Sequence, residues 1–204
     1  MGNGFATPSA NQLNDMFKVK YGWSEASTPI HESIIGSSVV AGMAIGAFSG
    51  GKLMVHGRRR AMIISSLIGL VGVALTLIEN FYVLNIGRLV FGFTSGCQAA
   101  VVVRMIDEYM PPRLTSTAMG GFAATQNFSA FLALCSGLIL PHSYETEQLE
   151  SNEIWRVIFL FPALMYVIII AGFLLIIRTD SPKYYVAKSD RQNAIKAIHA
   201  TFKT

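Results

Sequence analysis

Gly46 to Arg60 reads GAFSGGKLMVHGRRR. An apolar segment ends in a Gly-Gly pair, Lys52 follows, and a single glycine precedes three arginines in a row. Upstream, Ile34 to Val55 is long enough to cross a bilayer, which takes about 20 apolar residues. Within it Gly42, Gly46 and Gly50 recur every four residues and so share one helix face. In lipid, small residues at that spacing let helices approach closely, so the pattern predicts a bundle rather than a lone anchor. The arginines mark the side of the membrane on which the span ends.

The bulk properties agree. The chain has 204 residues, of which 52% are hydrophobic and only 14% charged. Soluble domains carry about 25% charge. A net charge of +4 could suggest a nucleic-acid binder, but the cations sit between apolar segments, where membrane topology places them. No nucleic-acid partner is expected; the first partner is the lipid bilayer. Cys97 and Cys135 lie inside apolar segments and read as small packed hydrophobes. The start, MGNGFATPSANQL, has neither a signal-peptide core nor an Arg-rich amphipathic pattern. Ala6 stands where a myristoylation motif needs Ser or Thr.

Along the chain the apolar runs predict spans over about 34–55, 61–78, 81–110, 117–140 and 157–177. Residues 1–20 are too polar to span alone; they fit the outer part of a buried helix, a loop or an amphipathic segment. Gly57 to Arg60 reads as a tight connection. Pro111 and Pro112 stop the long third span, whose end must project into water. Residues 141–153 form an acidic loop, and Trp155 reads as an interface anchor. Residues 1–178 are therefore the transmembrane bundle. In residues 179–204, Ser181-Pro182 fits an N-cap followed by proline at the first helical position, opening one or two amphipathic helices with a break near Ser189-Asp190. Arg58, Arg59, Arg60, Arg113, Arg178 and Lys183 fall on one side; Glu79, Glu145, Glu147, Glu150 and Glu153 fall on the other. The basic side is expected to face the cytoplasm, or the matrix or stroma of an organelle.

Charges and amides inside spans are costly and mark candidate sites. Arg88 lies about two turns into the third span, four residues from Gly92 and eight from Gly96, with no carboxylate in reach on its own helix. Arg104, Asp107 and Glu108 can pair three and four residues apart. They are either a switchable network or solvated charges on a projecting helix end. Gln126 and Asn127 fall near the middle of the fourth span, where an amide must pair with a neighbouring helix or face a polar solute cavity. The histidines show no metal spacing, and there is no P-loop, zincin motif or nucleophile elbow. No catalytic residue, metal or cofactor is expected, and the chain does not read as an enzyme.

Four features in order resemble the sugar porter branch of the major facilitator superfamily. Gly51 to Arg60 is similar to its loop of the form G-x-L-x-D-R-x-G-R-R, though Met54, Val55 and His56 stand where the acidic residue would be. Gly87-Arg88-Leu89 with Gly92 and Gly96 resembles G-R-L-x-x-G-x-x-x-G; Glu108 to Pro111 resembles E-x-x-P. Asp180-Ser181-Pro182-Lys183, after Trp155-Arg156 and a span, resembles W-R followed by P-E-S-P-R. The resemblance covers residues 30–204 and corresponds to the family's N-terminal half, with an incomplete first helix, plus its cytoplasmic helices. It implies an all-α polytopic membrane bundle working by alternating access. It further implies that Arg58, Arg59, Glu108 and Asp180 form a cytoplasmic lock, with Arg59 and Asp180 close enough to pair, and that Gln126 lines the solute cavity. Transport of a sugar or other small polar solute would then need a second half, by self-association or from another polypeptide. The alternatives are a transport-inactive half-carrier serving as a structural subunit of a larger membrane complex, and the truncated product of an ordinary carrier gene.

Overall fold

The computed structural model describes residues 17–18, 20–136, 154–177 and 179–202. The acidic loop, Arg178 and residues 1–16 lie outside these, as does the Trp155 side chain with its expected anchoring role. Among the described residues the chain is helical throughout: α1 (Thr28–Met54), α2 (Arg58–Thr76), α3 (Phe81–Tyr109), α4 (Pro112–Ser136), α5 (Ile154–Leu175), α6 (Pro182–Ala187) and α7 (Arg191–Phe202). Residues 17, 18 and 20 are also helical, and Phe17 is buried. By length and composition, α1, α2, α3 and residues 158–175 of α5 can each cross a membrane. The segment expected as the fourth span forms α4, whose described part is more polar; residues 137–140 lie outside the description.

Several helix starts differ from the sequence expectation; α4 begins at Pro112 rather than near residue 117. The first span starts at Thr28 rather than near residue 34, because Pro29 at the first turn favours initiation there. The arginine triplet is not a connection: Arg58 to Arg60 form the first turn of α2, and the turn itself is Val55 to Gly57. Gly57 has φ of +112°, a conformation that favours glycine.

The α1·α3 contact is the closest in the bundle and follows from glycines on both helices. A Cβ on Gly42 would strike the Leu89 carbonyl, and one on Gly46 the Phe93 carbonyl. In the other direction, Gly92 faces the Val39 carbonyl and Gly96 the Met43 carbonyl. Cys97 packs into the same seam, and its thiol donates to the Gly46 carbonyl at 3.1 Å. Helix α2 lies on another side of α3, where Gly72 and Gly87 bring the backbones together. Helix α5 packs on α2, with the Tyr166 ring seated over Gly69.

Three apolar clusters run down this bundle. Phe17, Ile35, Leu84, Ala133, Ile158 and Phe159 close the acidic end. Val73, Phe91 and Tyr166 fill the middle. Ala61, Met62, Val101 and Phe173 close the basic end, directly above the charged residues.

Candidate functional site

The basic end is where the sequence-predicted charges meet. Glu108, in the last turn of α3, has only 1% of its side chain exposed. One oxygen accepts from the Arg58 guanidinium at 2.6 Å and from Arg104 Nε at 3.2 Å. Its other oxygen accepts a short hydrogen bond from the Ser181 hydroxyl. Ser181 is fully buried and is the N-cap of α6, its Oγ accepting from the Tyr184 amide at 3.2 Å. One hydroxyl thus starts α6 and docks it on α3. Arg58 also lies 5.2 Å from the centre of the Tyr184 ring, within cation–π range. The E-x-x-P glutamate is therefore a buried junction of α2, α3 and α6, and not a solvated charge.

Arg59 and Asp180 are adjacent, but their guanidinium and carboxylate do not pair. Asp180 Oδ1 accepts from the backbone amide of Arg59 at 2.7 Å. The Arg59 guanidinium turns to α5, where Nε donates to the carbonyls of Phe173 and Ile177, both at 2.9 Å. The reason is helix-end chemistry. Gly57, the N-cap of α2, has no side chain to satisfy the first amides, and Asp180 supplies the missing acceptor. A Cβ on Gly57 would lie 2.8 Å from that carboxylate. The last carbonyls of α5 lack partners of their own, and a cation at a helix C-terminus is favourable there. Asp180 thus caps the start of α2, and Arg59 caps the end of α5.

Around this junction, Lys183 Nζ donates to the Asp107 carbonyl at 3.0 Å, and the Tyr109 hydroxyl donates to the Thr179 carbonyl at 3.1 Å. Asp107 lies 3.7 Å from Arg104, both about half exposed. A cavity of about 670 Å³ opens beside them, lined by residues that include Asp107, Pro111, Thr115, Lys183 and Ile198. The sequence singled out Arg58, Arg59, Arg104, Glu108, Asp180 and Lys183, and the structure brings all six to this end. It missed Ser181 as a bridge and Tyr109 altogether. Ser181 was visible only as a cap, because nothing in the local pattern says which distant carboxylate its hydrogen will meet.

The remaining candidates lie elsewhere. Arg88 is 2% exposed, and its guanidinium stands 5.7 Å over the Phe159 ring beside a small void lined by Val73, Thr76, Phe91 and Pro162. The glycines at 92 and 96 take up the α1 backbone instead of the arginine. Gln126 is half-buried and Asn127 exposed on α4, a helix that is exposed along most of its described length. A buried amide the sequence did not flag is Gln98, which donates to the Ser66 hydroxyl across α2 and α3 at 2.8 Å.

At the opposite end, Glu79 in the α2–α3 turn accepts from Lys20 at 2.8 Å and from Arg156 at 2.6 Å. The Lys20 ammonium foremost, and then Arg156, hold the Glu79 carboxyl below its ordinary value. Trp23 is sandwiched nearby between Tyr21 and His31, at ring-centre distances of 5.6 and 4.7 Å.

A glycine-packed bundle with four described helices long and apolar enough to cross a membrane is that of a multi-pass membrane protein. The chain belongs to the sugar (and other) transporter family, whose pattern matches residues 3–203. It is 27% identical over 177 residues to the putative metabolite transport protein YfiG of Bacillus subtilis, which covers 84% of this chain and 35% of that one. With hexose transporter 1 of Plasmodium falciparum it shares 24% identity over 219 residues, covering 97% of this chain and 43% of the relative. Among solved structures it is similar to the proton:xylose symporter XylE bound to 6-bromo-6-deoxy-D-glucose. The TM-score is 0.80 at 14% identity, covering 97% of this chain and 46% of that one. The chain thus spans less than half the length of these relatives. The family is one of transporters and not of enzymes.

Proposed function

We propose that this chain forms one half of a sugar-porter-type carrier that moves a sugar or another small polar solute by alternating access. The observation that carries the reading is Glu108, buried and shared by Arg58, Arg104 and Ser181. Such a junction is bistable in kind: it is either fully satisfied or it costs several kcal/mol to open into a less solvated state. In this reading it is the lock on the cytoplasmic side, with Arg59, Asp180 and Lys183 holding α2, α5 and α6 around it. Arg88 supports the bundle from within. Helix α4 serves as the fourth of five spans and presents Gln126 and Asn127 to the solute. The second half comes from a second copy of the chain or from another polypeptide, and the two rock about a midplane site.

Uptake of labelled hexoses and polyols into liposomes containing the purified chain tests the self-associating form. Saturable uptake that unlabelled solute competes is the expected result. Absence of uptake for every solute, from a sample that is folded and inserted, would sink it.

A second reading is a transport-inactive half-carrier held as a structural subunit of a larger membrane complex. The exposure of α4 favours it, since an amide-bearing helix in lipid calls for cover by another protein. Co-purification at fixed stoichiometry with other membrane subunits supports this version; a monodisperse homodimer with uptake activity defeats it.

A further inference from the structure

Tyr184 is buried, yet it joins none of the three apolar clusters. Two cations stand over its ring instead. The carbon of the Arg58 guanidinium lies 5.2 Å from the ring centre and Lys188 Nζ 4.8 Å, both within cation–π range. Tyr184 follows the Ser181 cap by three positions, so the two side chains share one face of the first turn of α6. One hydroxyl fixes both: Ser181 Oγ donates to Glu108 and accepts from the Tyr184 amide. The Tyr184 backbone is thereby set against the same carboxylate that holds Arg58.

Arg58 has few other partners. Its side chain is only 15% exposed. One terminal nitrogen donates to Glu108 at 2.6 Å, and the other reaches the Met54 carbonyl at 3.4 Å, a long contact. Its Nε is buried and has no hydrogen-bond acceptor among the described residues. A buried N–H without an acceptor is costly, and the negative face of an aromatic ring offsets part of that cost. An aliphatic side chain at 184 would fill the space and offer the guanidinium nothing. Lys188 stands differently: it is exposed, and a cation in water gains less from a ring than a desolvated one.

We infer that Tyr184 is a positioning residue of the Glu108 junction. Its π face compensates the part of the Arg58 guanidinium that no acceptor reaches, and so holds Arg58 on the carboxylate. Because the ring rides on α6, forming the charge pair and docking α6 become one event. The consequence for gating rests on the reading of Glu108 as a lock; the contact itself does not.

The test varies the electron density of the ring at nearly constant size. Tyr184→Phe is the reference, and phenylalanine analogues with one, two and three ring fluorines are introduced at the same position of the full chain in detergent. Each added fluorine should lower the thermal midpoint, for a total fall of about 2–4 °C over the series. Tyr184→Leu should lose at least as much as the trifluorinated ring. The descent should persist in a Lys188→Gln background, because Arg58 is the buried cation. A flat series overturns the inference, since packing alone does not respond to ring electron density. A descent that vanishes with Lys188→Gln also overturns it, because the ring then serves the exposed lysine. The lock is judged separately, by labelling Thr115→Cys beside the basic-end cavity with a membrane-impermeant thiol reagent. A descent without faster labelling upholds the role of Tyr184 and counts against the lock alone.

Discussion

Glu108 has almost no contact with solvent, while its cationic neighbours differ: the Arg58 side chain is 15% exposed and that of Arg104 is 57% exposed. The difference sets what each contributes. Glu108→Gln keeps the shape but leaves Arg58 without its buried counter-charge and weakens the Ser181 bond. It should lower stability in detergent by about 1–3 kcal/mol. Arg104→Gln should cost less than about 1 kcal/mol, as exposed pairs do. Thermal unfolding followed by intrinsic fluorescence separates the two, and equal losses would contradict the assigned roles.

Glu79 makes a prediction in pH. Its folded-state pKa is depressed by Lys20 and Arg156, so its contribution is fully present above the unfolded value near pH 4.3 and is lost as pH falls through the lower folded value. Wild type should therefore lose stability on acidification below about pH 4.3. Glu79→Gln should flatten that part of the profile while leaving the neutral-pH slope unchanged.

At the scale of elements, the α1·α3 seam and the crossed caps can each be tested by substitutions that differ in kind. Gly46→Val places carbon onto the Phe93 carbonyl, which is backbone and cannot swing aside. It should destabilise by at least about 1–3 kcal/mol. Gly51→Ala, five residues on, meets nothing within 4 Å and should be neutral or slightly stabilising. If both behave alike in a thermal melt, the interdigitated glycines are not what holds the helices together.

Asp180 distinguishes a cap from an ion pair. As the acceptor for the Arg59 amide in the first turn of α2, it should tolerate Asn better than Ala, with Asp180→Ala costing about 1 kcal/mol. Were the interaction a salt bridge to Arg59, Asn and Ala would be similarly damaging. Hydrogen exchange at the Arg59 amide, accelerated in the Ala variant and protected in the Asn variant, gives an independent readout.

Across the whole molecule, the basic end ties α2, α3, α5 and α6 into one unit through Arg58, Arg59, Glu108, Tyr109, Asp180 and Ser181. The acidic end is tied separately through Glu79, Lys20 and Arg156. The two sets of ion pairs thus sit at opposite ends of one bundle. In the proposed assembly with a second half, Glu108→Gln should favour the state open at the basic end. An introduced Thr115→Cys, beside the basic-end cavity, should then react faster with a membrane-impermeant thiol reagent.

Several features were legible from the amino-acid order alone, because each depends on local periodicity or on the cost of placing charge in lipid. The apolar runs implied α1, α2, α3 and α5, the four-residue glycine spacing implied close packing, and Ser181-Pro182 implied the start of α6. The motif order located Arg58, Arg59, Glu108 and Asp180 at one end. Tertiary structure alone decided which atoms meet. The Asp180 carboxylate chose a backbone amide over the neighbouring guanidinium, because Gly57 left α2 uncapped and the open carbonyls of α5 drew Arg59 away. Ser181 became a bridge because α6 folds back onto α3, a long-range event that no short window encodes. The stretch from Gly46 to Arg60 holds both outcomes: its glycines declared a packed membrane helix, while its arginines acquired their partners only when residues up to 121 positions away arrived beside them.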